Sequence, residues 1–80
     1  MRATGRLHRL WCNNVRMARE AAELTQKDVA EELGISQPRY AEIETGRHPP
    51  GLELMERLAP VLRVKPHRLL DPEFAREFAA

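Results

Sequence analysis

The side chains that most often bind metals or attack substrates are few and scattered in this sequence. They are His8, Cys12, His48 and His67. No two of them stand at a spacing typical of metal ligands, so we predict no metal site and no cofactor. The sequence also has no glycine-rich phosphate loop and no nucleophile elbow, and its acidic pair Glu31-Glu32 lies among polar residues. We therefore predict that the protein is not an enzyme.

Length and composition limit the remaining classes of protein. A chain of 80 residues makes one small domain with a modest core. Its hydrophobic fraction of 42% is ordinary for a globular protein, and no apolar run approaches the length that spans a bilayer. The basic N-terminus lacks the apolar centre of a signal peptide, and a single cysteine offers no disulfide framework. We expect a cytoplasmic protein that does not bind membranes.

The charges are unevenly distributed along the chain. The net charge of +1 gives no whole-protein argument for nucleic acid. Residues 1–19, however, carry five arginines and no acidic residue, whereas residues 20–35 carry five acidic residues and one lysine. This asymmetry permits a basic face for a polyanion, although charge runs are more often ordinary solvated surface.

The stretch from Thr25 to Gly46 predicts two short helices around a tight turn. Thr25 can cap the first helix, with Asp28 three residues later as in a capping box, and Ser36 can cap the second. Gly34 suits the left-handed position that ends a helix. Apolar residues recur at helical spacing in both segments. This is the helix-turn-helix pattern, whose second helix enters the DNA major groove.

The flanking segments also have helical patterns. One helix is predicted from Leu7 to Ala22, with Trp11 in the core. Another is predicted from Leu52 to Leu62, where Pro60 indicates a kink or an early end. Pro66 begins a short fifth helix, and no strand signal occurs. We predict an N-terminal arm at 1–6, a DNA-binding domain at 7–72 and a helical tail at 73–80.

The tail carries two aromatic residues, Phe74 and Phe78, one helical turn apart. They could fold back onto the core of their own chain or form a dimer interface. We predict the dimer interface, to which Leu69 and Leu70 would contribute, because the stripe is more apolar than a tail needs. A small domain also gains stability from a partner subunit.

Several short motifs occur together in the order and at the spacing of one known family. They are Val15-Arg16-x-x-Arg19, Leu24-Thr25-Gln26, Val29-Ala30, Leu33-Gly34-Ile35-Ser36, Ile43-Glu44-x-Gly46-Arg47 and Pro50-x-Leu52. The chain from about Val15 to Leu70 resembles the Cro/phage-repressor type of helix-turn-helix protein, also called the XRE family. The resemblance implies an all-α, five-helix, lambda-repressor-like domain, here with a short extra C-terminal helix. It further implies a bacterial or phage-type regulator of transcription, acting as a repressor and associated with the nucleoid when bound.

The resemblance also implies roles for individual residues. The base-reading positions are Gln37, Arg39 and Glu42, with Pro38 close by. The positions that contact DNA phosphates are Gln26, Ser36, Thr45, Arg47 and Arg16. An internal ion pair is implied between Arg19 and Glu44.

The chemistry of these side chains agrees with the implied roles. Gln37 can donate and accept at the N6/N7 edge of adenine, Arg39 can bind guanine O6/N7, and Glu42 can accept from cytosine N4. Each could equally be polar helix surface. Arg19 and Glu44 could be separate surface charges, but each stands next to an apolar residue, which favours a partly buried pair.

Four positions depart from the family pattern. Glu23 stands where glycine is frequent, which predicts a different exit from the first helix. Arg63 also replaces a frequent glycine and is expected in a strained left-handed conformation. Pro38 removes a backbone donor from the first turn of the reading helix, and Pro60 is unusual in the fourth helix.

Three functional hypotheses follow. The first is a homodimeric repressor on a pseudo-palindromic site of double-stranded DNA, with two helices in major grooves about 34 Å apart. The second is an antitoxin or restriction–modification controller that represses its own operon, with a toxin as partner in the former case. The third is a protein-interaction module without a DNA role, against which the polar reading helix argues.

Overall fold

The structure is a computed structural model that describes residues 5–78. This part of the chain contains no strand and forms four α-helices and two 3-10 helices. The α-helices are α1 (Arg6–Ala21), α2 (Gln26–Leu33), α3 (Gln37–Glu44) and α4 (Leu52–Val61), and the 3-10 helices are Pro66–Leu70 and Phe74–Phe78. The all-α prediction is confirmed. Within these residues, no helix is both long and apolar enough to cross a membrane.

The predicted count of five α-helices is not matched, because the last two segments are 3-10 helices. Each is five residues long; the first begins at Pro66 and the second follows shortly after Pro72. Their backbone bonds join residues three apart, as in the donation from Arg68 N to Lys65 O at 3.0 Å. Segments this short gain little from the α-helical bonding pattern, so the tighter 3-10 helix is common in them.

Helix α1 is the central support of the fold. It begins at Arg6, one residue earlier than predicted, and residues 1–4 of the predicted arm lie outside the described residues. Trp11 and Val15 are completely buried in its inner face, as the apolar spacing predicted. Helix α1 contacts α3 and both 3-10 helices, while α2 packs on α3 and α4. The core therefore lies between α1 and the rest of the chain.

The two helix starts in the helix-turn-helix unit have the predicted caps. Thr25 Oγ1 accepts from Asp28 N at 3.0 Å, and an Asp28 carboxylate oxygen accepts from Thr25 N at 2.9 Å, which completes a capping box. Ser36 Oγ accepts from Arg39 N at 3.2 Å at the start of α3. Gly34 ends α2 at φ +71°, the left-handed conformation expected of it.

All four α-helices end in the same way. Each is followed by a residue with positive φ: Glu23, Gly34, Gly46 and Arg63. At each end the next residue donates its N–H five residues back along the chain, for example Val64 N to Ala59 O at 3.0 Å. This is the Schellman motif. The left-handed conformation predicted for Arg63 is confirmed, and Glu23 shares it.

Pro60 does not end α4 at Ala59. The helix continues to Val61, and Leu62 N still donates to Leu58 O at 3.1 Å. The proline stands one residue before the end of the helix and is exposed to solvent. Of the two predicted effects of Pro60, a kink or an early end near Ala59, the early end does not occur, and α4 ends one residue before the predicted Leu62.

The C-terminal segment folds onto its own chain. Leu69 and Phe74 are 0% and 1% exposed and belong to the main core. The prediction that these two residues form a dimer interface is corrected here, because neither has surface left to offer a partner. Leu70 is half-buried, and the side chain of Phe78 lies outside what the structure describes.

A buried asparagine holds this segment in place. Asn14 is 1% exposed, and its Nδ2 donates to Leu69 O and to Asp71 O, both at 3.0 Å. On the outside, Arg68 lies 5.4 Å from the Phe74 ring centroid and pairs with Glu77. The two 3-10 helices are thus fixed to α1 by both apolar and polar contacts.

Candidate nucleic-acid interface

Helix α3 has one buried face and one exposed face. Tyr40, Ile43 and Glu44 point inward and are buried. The side chains predicted to read bases or to lie beside them are on the other face, where Gln37, Pro38 and Arg39 are exposed and Glu42 is half-buried. The structure therefore leaves this predicted set accessible to a partner.

The orientation of α3 depends on a buried ion pair. Arg19 of α1 donates from Nε to Glu44 Oε2 at 2.8 Å and from Nη2 to Oε1 at 3.0 Å, a two-bond contact. Its Nη1 also donates to Leu24 O at 2.9 Å. The side chains of Arg19 and Glu44 are only 12% and 3% exposed. The predicted pair is present. Through its bonds to Glu44 and to Leu24 O, Arg19 connects α1 to α3 and to the segment between α1 and α2.

The surroundings of Glu44 keep it ionised. Burial acts to raise its pKa, but the hydrogen bonds from Arg19 and Gln26, together with the polar Tyr40 hydroxyl beside them, outweigh burial and lower the pKa. Glu44 in turn raises the pKa of Arg19. Burial first, and then Glu44, raises the pKa of Tyr40, whose hydroxyl lies beside the pair without a hydrogen bond of regular geometry. The site is an ion pair over the whole neutral range.

Gln26 has a role that the sequence did not indicate. It is half-buried at the start of α2, and its Nε2 donates to Glu44 Oε1 at 3.2 Å. The contact connects α2 to the same ion pair that holds α3. Its predicted contact with a DNA phosphate stays a prediction.

Four of the predicted DNA-contacting residues meet at one shallow depression on the surface. It is lined by Pro38, Ala41, Glu42, Thr45 and Arg47. Arg47 is exposed there, and its backbone N–H is already used by Glu42 O at 2.8 Å. Thr45 Oγ1 donates to Ala41 O at 2.8 Å, so the hydroxyl would have to turn before it could donate to a phosphate.

The other predicted phosphate contacts lie outside this depression. Ser36 is exposed at the start of α3, where its oxygen is used as the helix cap. Its hydroxyl hydrogen can still point outward to an acceptor. Arg16 is exposed on α1. The start of α3 offers few free backbone N–H groups, because Pro38 has none and Arg39 N already donates to Ser36 Oγ.

Glu42 has two basic neighbours. Its Oε1 lies 3.9 Å from Arg39 Nη1 and 3.3 Å from His48 Nε2. His48 was not among the predicted site residues, because it follows the helix in a loop and nothing in the sequence places it opposite Glu42. Glu42 therefore lies between Arg39, the predicted guanine reader, and the imidazole of His48. Its own role as a cytosine reader stays a prediction.

Two further contacts support the helix-turn-helix unit and were not predicted. Arg57 of α4 donates to Leu33 O at 2.5 Å, which satisfies a carbonyl at the end of α2. The Cys12 thiol lies 3.6 Å from Ile43 O, within α1–α3 packing, and burial raises its pKa. Both partners are distant in sequence. Within residues 5–78, no three His, Cys, Asp or Glu side chains gather where they could hold a metal ion.

Comparison with known proteins places this architecture in a family. Residues 14–71 match the family model described as a helix-turn-helix domain. A comparison with curated proteins finds no match. Among solved structures, the chain is similar to the hypothetical transcription factor NHTF from Neisseria, with 23% identity, a TM-score of 0.78, and coverage of 91% of this chain and 85% of that one.

A second solved structure has the same degree of similarity. The clp gene regulator ClgR from Corynebacterium glutamicum is also 23% identical with a TM-score of 0.78, over 91% of this chain and 77% of that one. At this identity the likeness concerns the fold. The family match covers the capped α2–turn–α3 unit, the second half of α1 and the whole of α4. The chain therefore belongs to the helix-turn-helix domain family.

Proposed function

We propose that this protein is a sequence-specific double-stranded DNA-binding regulator of transcription that acts as a repressor. It would bind a pseudo-palindromic operator as a homodimer, with α3 of each subunit in a major groove. Membership of the helix-turn-helix family supports DNA binding. The names of the two similar structures, a hypothetical transcription factor and a clp gene regulator, support a role in transcription.

The division of α3 into two faces is the observation that carries the proposal. Its inner face is fixed by Tyr40, Ile43 and the Arg19–Glu44 pair, so the helix cannot rotate without breaking buried contacts. Its outer face presents Gln37 and Arg39 to solvent. A rigid helix with exposed hydrogen-bonding side chains suits the major groove, where each base pair has its own donor and acceptor pattern.

The outer face is poorly suited to the rival role of a protein-binding groove. The cores of protein interfaces are rich in aromatic and apolar groups and poor in charges. Here the exposed and half-exposed positions of α3 include Gln37, Arg39 and Glu42. The adjoining depression adds Arg47, whose charge fits a phosphate better than an apolar partner.

The test is selection of bound sites from a random pool of double-stranded DNA, followed by a titration of the selected site. We expect one consensus with two related half-sites about one helical turn apart. Affinity should fall linearly in log K against log salt, with a slope of about −0.9 for each phosphate that is neutralised. Failure to enrich any sequence, together with affinity that does not depend on salt, would contradict DNA binding and favour the protein-interaction alternative.

The role of a general repressor and the role of an antitoxin or restriction–modification controller differ in genetic context. They do not differ in the surface that reads DNA. A toxin or a restriction enzyme encoded beside this gene would favour the antitoxin or controller role. The selected site can then be compared with the promoter of that operon. Binding upstream of unrelated genes would favour a general repressor.

A further inference from the structure

His48 contacts the outer face of α3 through its side chain and through its backbone. Its Nε2 lies 3.3 Å from Glu42 Oε1, and its backbone N–H donates to Glu42 O at 3.4 Å. Gly46 reverses the chain after α3 with a φ of +87°, which brings the following loop back beside Glu42. Two separate contacts therefore place the imidazole next to the carboxylate.

The loop gives the imidazole little freedom to move away. His48 is followed by Pro49 and Pro50. A residue before proline is restricted to extended backbone conformations, and each proline fixes its own φ. The position of His48 relative to α3 is thus set before any partner binds.

Glu42 places a negative charge on the face of α3 that is proposed to meet DNA. It lines the same depression as Arg47, and its Oε1 lies 3.9 Å from Arg39 Nη1. An uncompensated carboxylate at this position repels phosphates. A carboxylate that pairs with Arg39 would occupy the guanidinium that is predicted to read guanine. His48 lies nearer to the same oxygen and can hold the carboxylate instead.

The ionisable groups near His48 come from three elements. Helix α3 contributes Glu42 and, through it, Arg39, while the loop contributes the preceding Arg47. The nearest acidic residue of α4 along the chain is Glu53, and within the described residues it forms no ion pair with His48. Histidine is the side chain whose charge ordinarily changes between about pH 5 and 8. A change of charge on His48 therefore acts first on Glu42.

We propose that His48 is a positioning residue for DNA recognition, which holds the Glu42 carboxylate in one place and holds it most firmly when the imidazole is protonated. In water the contact is weak, since the two side chains are 45% and 40% exposed. When DNA covers this face and displaces water, the same contact becomes stronger. Protonation also reduces the negative charge that the face presents to phosphates.

Two consequences follow for DNA binding. Binding is coupled to proton uptake at His48, so affinity rises as pH falls from about 8 to about 6. The base preference that depends on Glu42 is sharper when His48 fixes the carboxylate. The inference rests on the proposed function, and it names a regulator of the same reading surface.

The first test measures affinity for the selected double-stranded site at about pH 8 and about pH 6 and at constant ionic strength. The wild type should bind about two- to fivefold more tightly per subunit at the lower pH. His48→Gln keeps a donor for Glu42 but takes up no proton, so its affinity should depend much less on pH. His67→Gln is the matched control, because His67 is an exposed histidine that does not line the depression beside Glu42.

The second test determines whether His48 acts through Glu42. His48→Ala should relax the preference at the same base position that Glu42→Gln relaxes, as measured on single-base variants of the selected site. In the Glu42→Gln background, His48→Ala should relax that preference no further, because the two residues act as a unit. A direct contact of His48 with a phosphate would instead weaken binding to all sequences alike.

The outcomes separate this inference from the function on which it rests. His48 is half-buried in a loop, so its variants should fold, and circular dichroism at both pH values checks this. Specific binding with the same pH dependence in the wild type and His48→Gln would overturn the positioning role and leave DNA binding intact. A His48→Ala variant that weakens all sequences equally would do the same. Absence of specific binding by the wild type at every pH would remove the proposed function and this inference together.

Discussion

Arg39 and Arg47 are both exposed arginines near the reading helix, but their positions predict different effects on DNA binding. Arg39 projects from the first turn of α3, where a guanidinium can bind guanine O6 and N7. Its replacement by alanine should cost about 1–3 kcal/mol at one base position and relax the preference there. Binding titrations on the selected site and on single-base variants of it measure this effect.

Arg47 should behave as a phosphate contact. Arg47→Ala should weaken binding to all sequences alike and reduce the salt slope by about 1 per subunit. Arg76→Ala, at an exposed arginine of the second 3-10 helix, is the matched control and should leave both quantities unchanged. If Arg47→Ala altered the consensus, or Arg39→Ala weakened all sequences equally, the assignment of the two roles would be reversed.

The lowered pKa of Glu44 predicts that the protein loses stability in acid. Its pKa is lower in the folded protein than in the unfolded chain. Its contribution to the free energy of unfolding is therefore complete above the unfolded pKa of about 4.3 and is lost as pH falls through the folded pKa. Glu44→Gln should reduce the free energy of unfolding at neutral pH by about 3 kcal/mol, the lower end for breaking a buried pair, because glutamine keeps one acceptor oxygen. The free energy of unfolding of this variant should also depend less on pH than that of the wild type.

Urea unfolding followed by the fluorescence of buried Trp11, at about pH 7 and about pH 3, measures both effects. Glu31→Gln, an exposed glutamate of α2, is the control and should change stability by less than about 0.5 kcal/mol. Equal stability of the Glu44→Gln variant and the wild type at neutral pH would mean that the pair contributes nothing to holding α3.

At the level of the elements, the four helix ends use one backbone conformation with two kinds of residue. Gly34 and Gly46 adopt positive φ without a steric penalty, whereas Glu23 and Arg63 adopt φ of 60° and 63° with a Cβ. The left-handed conformation costs a residue with a side chain about 1–2 kcal/mol. Two of the four turns that shape the domain are therefore strained.

Relief of this strain predicts a stabilised variant. Arg63→Gly should raise the free energy of unfolding by about 0.5–1 kcal/mol, because the lost strain exceeds the added entropy of the unfolded chain. Arg63→Ala is the matched control: it removes the same exposed side chain but keeps the Cβ, so it should be nearly neutral. Thermal unfolding of both variants measures the difference, and a destabilised Arg63→Gly would show that the side chain of Arg63 makes a necessary contact.

The features that could be predicted from the sequence are those whose partners are close along the chain. The capping box of Thr25 and Asp28 and the left-handed Gly34 depend on residues within one helical turn, so spacing alone specifies them. The pair of Arg19 and Glu44 spans 25 residues and was reached through the family resemblance, supported by the apolar neighbours of each residue.

Long-range polar contacts could not be predicted in this way. Asn14 donates to a carbonyl 55 residues away, and in sequence it has the same appearance as any polar residue on a helix. Leu69 and Phe74 were predicted to form a dimer interface, because an apolar stripe does not say whether its own chain or a second copy covers it. The structure answers this for the two residues, because their own chain buries both of them.

The opposite exposures of Phe74 and Leu52, 1% and 81%, predict that substitutions at the two positions affect the stability of the whole molecule very differently. Phe74→Ala should reduce the free energy of unfolding by about 3–5 kcal/mol, because it opens a cavity in the core. A domain of 80 residues has a total of only about 4–12 kcal/mol, so Phe74→Leu is the graded variant, expected to cost about 1.5 kcal/mol or less. Leu52→Ser should change stability by less than about 0.5 kcal/mol at dilute concentration. Denaturant unfolding and sedimentation of the same samples separate a role in the core from a role in association: a Phe74→Leu variant that kept its stability and lost self-association would return the aromatic residue to a dimer interface.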